Sequence, residues 1–202
     1  MTMTRRAALL SGISALGGCS AVSVLNSASQ PLATYDLSPA AGAKSGRRTS
    51  RTLLIARPEA PASIAADRIM VKPDALSITY LPDARWADEL PLVLQFLLIR
   101  SIAGTGRIGY VGRGEGGPAP DTALLVRIDA FQVEATPAGA FEAAVDITLT
   151  ALNDRDQRVI ATRAFARTAR AADDRPPSIV AAFQGILDDL LPEMSDWVLE
   201  RA

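Results

Sequence analysis

The chain has 202 residues, of which 21 are lysine or arginine and 22 are aspartate or glutamate, giving a net charge of −1 at neutral pH. That near balance argues against a nucleic-acid partner, which calls for a basic patch or stripe, and against a membrane surface held by charge alone. Histidine is absent and cysteine occurs once, at Cys19, which excludes Ser-His-Asp and Cys-His catalysis, histidine bases, zinc sites of Cys and His, and an internal disulfide. Carboxylate or Ser-Lys chemistry is left, but Lys44 and Lys72 are the only lysines and neither stands in a Ser-x-x-Lys motif. No metal and no cofactor is expected.

The chain opens with Arg5 and Arg6, followed by a short apolar run from Ala7 to Leu16. A basic start, a short apolar stretch and small residues before a cleavage point mark an export signal, and the run is too short for a bilayer span of about 20 residues. Leu16-Gly17-Gly18-Cys19 resembles the bacterial lipoprotein signal, the lipobox. That resemblance implies cleavage before Cys19, lipidation of its sulfur and an acylated N-terminus; the other reading is a secretory signal with an incidental cysteine. Residues 1–18 are thus expected to be a lipoprotein signal peptide, leaving 184 residues with a net charge of −3. Thr4-Arg5-Arg6-Ala7-Ala8-Leu9-Leu10 also resembles a twin-arginine signal, against an ordinary basic n-region. Ser20 follows the cysteine where aspartate would resemble an inner-membrane retention signal, so the expected location is the periplasmic face of the outer membrane.

Residues 19–34, small and polar, read as a flexible tether. From residue 35 to 202 a single domain is expected. Thr34 to Leu37 is a strand candidate and Ser38 to Arg51 a loop rich in Gly, Pro and Arg. Thr52 to Ala56 suits a buried strand. Arg68 to Lys72 and Ser77 to Tyr80 are short strands about a turn containing Pro73 and Asp74. Leu90, Leu94, Leu97, Leu98 and Ile102 recur at helical spacing, predicting a helix over 88–103, capped from the Asp83–Asp88 region and ended by Gly104. Gly104-Thr105-Gly106-Arg107-Ile108-Gly109 matches G-x-G-x-x-G in letters. A dinucleotide site must follow a strand and open a helix, whereas this one follows a helix and opens a strand, so it reads as a cap and turn. Residues 112–120 read as a surface loop.

Three longer strands come next. In 122–134 the apolar side is Leu124, Val126 and Ile128, then changes to Phe131 and Val133, which predicts a bulge or strong twist. Phe141 to Thr150 alternates cleanly, Asn153 to Asp156 turns, and 158–168 returns, making an antiparallel meander with one polar face. A closing helix carries Ile179, Phe183, Ile186, Leu190, Met194 and Trp197 on one stripe, with Asp174 as its cap and a kink or split at Pro192. The fold class is α+β, a mainly antiparallel sheet with two helices packed on one face.

The lipobox, Tyr35-Asp36-Leu37 after the tether, Arg68-Ile69 before Ser77-Ile78-Thr79-Tyr80, and Arg85-Trp86-Ala87-Asp88 leading into Leu90-Pro91 together resemble the ABC-type transport auxiliary lipoprotein family, of the paraquat-inducible protein C type. The resemblance spans nearly the whole mature chain; Pro192 departs from it. It implies a non-enzymatic, lipid-anchored periplasmic accessory subunit whose partners are an MCE-domain protein and ABC transporter subunits moving lipid between membranes. Contact with phospholipid and assembly into a homo-oligomer stay open. The alternative is a structural or assembly lipoprotein of the envelope with no transporter. Arg85 and Trp86 carry two readings: a tryptophan beside arginine suits an interface anchor, yet Trp86 can equally pack under the first helix with Arg85 paired to a carboxylate. Asp88-Glu89 and Asp188-Asp189 make no catalytic pairs, because adjacent helical residues do not face each other.

Overall fold

The computed structural model describes residues 32–114 and 117–202. The expected signal, Cys19 and the tether as far as residue 31 lie outside them, as do Glu115 and Gly116 of the expected 112–120 loop. Among the described residues the chain forms β1 (Ala33–Tyr35), β2 (Thr52–Ile55), β3 (Arg68–Lys72), β4 (Thr79–Trp86), α1 (Leu90–Gly104), β5 (Tyr110–Arg113), β6 (Thr122–Ala135), β7 (Phe141–Asn153), β8 (Arg158–Arg170) and α2 (Pro176–Leu199).

β6 is the axis of the sheet. One edge of it pairs antiparallel with β7 from Thr122 to Ala135, and β7 pairs in turn with β8. Its other edge is shared, in parallel, by β2 beside Thr122 to Leu124 and by β3 beside Gln132 to Glu134. Glu59 bridges the gap, donating its N–H to the Val126 carbonyl at 2.9 Å and accepting from Ile128 N–H at 2.8 Å. Outside these lie β5, parallel to β2, and β4, antiparallel to β3, with β1 parallel to β4. The class is α+β, but the sheet is mixed rather than mainly antiparallel: four of its seven pairings are parallel. Local alternation identifies a strand without identifying its partner, and parallel partners are always far away in sequence.

The parity change in β6 falls where expected. Register shifts between Ile128 and Ala130, so Asp129 is the inserted residue and Phe131 and Val133 turn inward in place of Ile128. A second irregularity lies within β4. β4 runs on through Pro82 and Asp83, where register jumps between β3 and β4 and Asp83 takes a left-handed φ of 55°. The outward bulge lets Leu81, Ala84 and Trp86 all reach the core.

α1 is apolar nearly all round because little of it meets solvent: Leu90, Val93, Leu94, Leu97, Leu98 and Ile102 are buried. Buried Gln95 donates its Nε2–H to the Ile55 carbonyl at 2.9 Å, satisfying a group that the sheet ladder leaves open. Gly104 proves to be the last helical residue rather than the cap. Gly106 takes the left-handed conformation, φ 65°, and its N–H reaches the Ala103 carbonyl at 3.0 Å. The G-x-G-x-x-G letters therefore lie on the end of α1 and the turn into β5. Strand β5 takes Gly112 out of the expected loop.

α2 packs against α1 and against β7 and β8. It runs unbroken through Pro192, so the helix is not split there. The missing N–H removes one bond, but Leu190, Leu191 and Met194 on either side are fully buried, and most helical stability comes from such packing. Nor does Asp174 cap it. Arg175 occupies the cap position without a side-chain bond, while Asp173 accepts from the Arg175 N–H at 3.0 Å and grips its guanidinium. Likewise Glu89 stands at the cap of α1, with Asp88 accepting from its N–H at 2.8 Å. One aromatic cluster joins the layers: Phe131 of β6 stacks on Phe183 of α2 at 4.6 Å, and Trp86 of β4 meets both edge-on at 5.8 and 5.6 Å. Such pairs add about 0.5–1.5 kcal/mol each beyond the area they bury.

Candidate functional surface

Cys19 lies outside the described residues, and the described body is entered at β1, on the edge of the sheet beside β4. The residues singled out at the end of β4 part company there. Trp86 is 2% exposed, its ring enclosed by Phe131 and Phe183. Its neighbour Arg85 stays on the surface, 3.6 Å from an Asp67 carboxylate oxygen and donating to the Thr34 hydroxyl at 3.2 Å. Strand alternation explains the split, since consecutive side chains point to opposite faces.

Next to this edge a groove opens along α1. Its apolar floor is Leu37, Val93 and Leu97, and its rim carries Asp36, Asp88 and Arg100. Leu37 is fixed there from both sides. The Asp36 carboxylate accepts the Leu37 N–H at 2.9 Å, and Gln184 of α2 clasps Ser38, accepting its N–H at 2.8 Å and donating to its carbonyl at 3.2 Å. Phe96 completes the wall at 45% exposure, with the Arg113 guanidinium over its face at 3.8 Å from the ring centre. That stacking holds an aromatic ring at the surface without burying it. Nothing in the sequence pattern marked Phe96, because it is simply the α1 position that faces away from the core.

At the helix start the rim becomes acidic. Asp67, Asp88 and Glu89 border a shallow depression, with Glu89 paired to Arg57. Exposed pairs of this kind contribute about 0–1 kcal/mol to stability. Among the described residues no cluster of three or more Asp, Glu, His or Cys is placed to hold a metal. The polar groups of the groove are carboxylates and a guanidinium around an aliphatic and aromatic floor. Such a surface can seat an apolar side chain and meet flanking charges of either sign.

A second polar assembly lies on the outer face of the sheet, at the β6 bulge. Asp129 accepts from Arg127 Nε at 2.8 Å and from the Thr148 hydroxyl at 3.0 Å. The Arg127 guanidinium holds the Asp129 carboxyl below the usual carboxylate range. This network braces the inserted residue and is separate from the groove.

The α1 groove and its charged rim thus lie beside β1 on an α+β body. The chain belongs to the ABC-type transport auxiliary lipoprotein component family, whose model matches residues 35–195. No curated protein matches it in sequence. Among solved structures, protein XCC0632 from Xanthomonas campestris is similar, with 24% identity and a TM-score of 0.77 over 84% of this chain and 96% of that one. An uncharacterised protein aligns with 14% identity and a TM-score of 0.60, over 85% of this chain and 98% of that one. The protein CT253 from Chlamydia trachomatis aligns with 8% identity and a TM-score of 0.51, over 76% of this chain and 98% of that one. At these identities the likeness is one of fold.

Proposed function

We propose that the chain is a periplasmic accessory subunit of an ABC-type lipid transport system containing MCE-domain proteins, acting through protein contacts and held to the outer membrane by acyl chains on Cys19. The observation that carries this reading is the family match over residues 35–195 directly behind a lipobox and a short polar stretch. Several acyl chains hold firmly where one binds reversibly, since each buried CH₂ contributes about 0.8 kcal/mol. The groove along α1 is the surface offered to the transporter, with Arg85 and the acidic rim setting register and the floor of Leu37, Val93 and Leu97 supplying contact area. Interface energy concentrates in such partly enclosed apolar and aromatic centres. Among the described residues no helix is long and apolar enough to cross a membrane.

Affinity purification of the tagged chain from detergent extracts of its own membranes tests this reading. MCE-domain and ABC subunits are expected in the eluate, and charge reversal at Arg85 is expected to lower their yield. Recovery of the acylated chain with neither class of subunit would turn the reading towards a structural lipoprotein.

A further inference from the structure

α1 is sparsely charged for a helix that reaches the surface. Of its 15 residues only Arg100 carries a charge. Half-buried Leu92 and Ile99 and exposed Phe96 and Ala103 stand where the outward side of a surface helix is usually polar. Val93, Phe96, Leu97 and Arg100 follow one another at helical spacing, so one stripe lines the groove from its start to its far end.

The groove is charged differently along its length. The Tyr35 carbonyl accepts the Ala87 N–H at 2.8 Å, which sets Asp36 beside Asp88 where α1 begins. Further on the charge turns positive: the Arg113 guanidinium lies over Phe96, and Arg100 stands about 15 Å along the helix from Leu90. None of these four charged groups has an ion-pair partner among the described residues. The neighbouring charges are already answered, Glu89 by Arg57 and Asp67 by Arg85. Screening at physiological salt acts over about 8 Å, less than the separation of the two ends. Each end therefore acts on what lies beside it, and the net charge of the chain is no guide to either.

We propose that the groove takes a transporter segment in one direction only. The segment places a lysine or arginine at the Asp36–Asp88 end, apolar side chains over Leu37, Val93 and Leu97, and a carboxylate at the Arg100 end. This rests on the groove being the surface offered to the transporter, and adds the order of charges along the segment it binds. Complementarity of this kind selects among partners and fixes register more than it adds affinity. A second copy of the chain, docked by two-fold symmetry, would match the charges as well, acidic end on basic end. It would, however, set one concave floor against another and leave both without contacting atoms. A convex segment fills the floor and answers both ends.

Charge reversal separates order from net charge. Asp88→Lys and Arg100→Glu shift the net charge by equal and opposite amounts, so the double variant has the charge of the original chain with the order along the groove inverted. Each is made in the full-length tagged chain and recovered from detergent extracts of its own membranes, with MCE-domain and ABC subunits in the eluate quantified by mass spectrometry. Each single reversal is expected to lower their yield about fivefold, and the double variant by about the product of the two, because sites this far apart act independently. A double variant at the original yield would overturn the ordered groove, as would single reversals without effect. In both cases the subunits recovered with the unaltered chain keep the proposed function standing. Their absence from that eluate would overturn the proposed function and the ordered groove together. Asp88→Glu and Arg100→Lys, which keep the charges, are expected to retain the yield; loss in these too would mark a structural role and overturn the proposal. A photo-crosslinking residue in place of Phe96 identifies the occupant. A transporter subunit is expected, and capture of only a second copy of this chain, or of only lipid, would overturn the proposal.

Discussion

The two sides of β6 are built by different rules. On one side β7 and β8 follow it through turns of a few residues and pair along almost their entire length. On the other, β2 and β3 divide its edge between them and find it, in parallel, from positions dozens of residues upstream. Contacts of the first kind close small loops, and those of the second must be stabilised by packing after a large loop has already closed. The first side offers α2 a long sheet face, interrupted at the Asp129 bulge and at one register shift between β7 and β8. The second side offers irregularities, namely the Pro82-Asp83 bulge, the Glu59 bridge and the α1 groove. The α1 groove lies on the side with long-range pairing, while the local meander carries α2.

If the two sides share one core, damage where they meet must be felt by both. Trp86→Ala removes the β4 member of the Trp86–Phe131–Phe183 cluster and should destabilise the protein by about 3–5 kcal/mol. The variant retains Trp197, which packs edge-on against Phe165 of β8 at 5.9 Å and reports on the meander side. Urea unfolding followed by Trp197 fluorescence should shift together with far-ultraviolet circular dichroism. A Trp197 transition that stays in place would mean that the two sides fold independently.

A smaller effect separates them. Gly109 approaches Ser50 so closely that a Cβ would lie 2.6 Å from the Ser50 carbonyl oxygen, a backbone atom with little freedom to move. Gly109→Ala should therefore cost about 1–3 kcal/mol by overpacking. Hydrogen exchange should accelerate first in β2 and β5, with β7 and β8 protected until global unfolding.

The smallest effect is expected at the bulge. Because the folded state depresses the Asp129 pKa, its contribution is complete above the unfolded value of about 3.9 and is lost as pH falls through the lower folded value. Asp129→Asn should flatten the acid limb of stability by less than about 1 kcal/mol, as expected for a partly exposed pair. Thermal melts from pH 2 to 6 would show it.

The same division decides how much could be read from residue order. In β6 the switch from Ile128 to Phe131 announces the bulge, and in β7 strict alternation from Phe141 announces a half-buried strand. Both are local patterns with a fixed period. Leu90 to Ile102 likewise announces α1, since a helix writes its packing face into its own spacing. By contrast, nothing near Thr52 says that it will lie beside Tyr110, and Pro82-Asp83 has the composition of a turn although it bulges within a strand. The groove was the least readable feature. Its floor joins Leu37 to Val93 and Leu97, and Phe96 becomes distinctive only when Arg113 is found above its ring. Arg85 and Trp86 were readable as a pair worth attention, but β alternation sends one to the surface and the other to the core.

On the proposed function, the α1 groove faces a transporter while Cys19 holds the body to its membrane. A photo-crosslinking residue in place of Arg100, with a second in place of Thr162 on β8 as reference, tests it in intact cells. Position 100 is expected to capture an MCE-domain or ABC subunit, identified by mass spectrometry, and position 162 is expected to capture neither. Capture of such a subunit from position 162 and none from position 100 would contradict it.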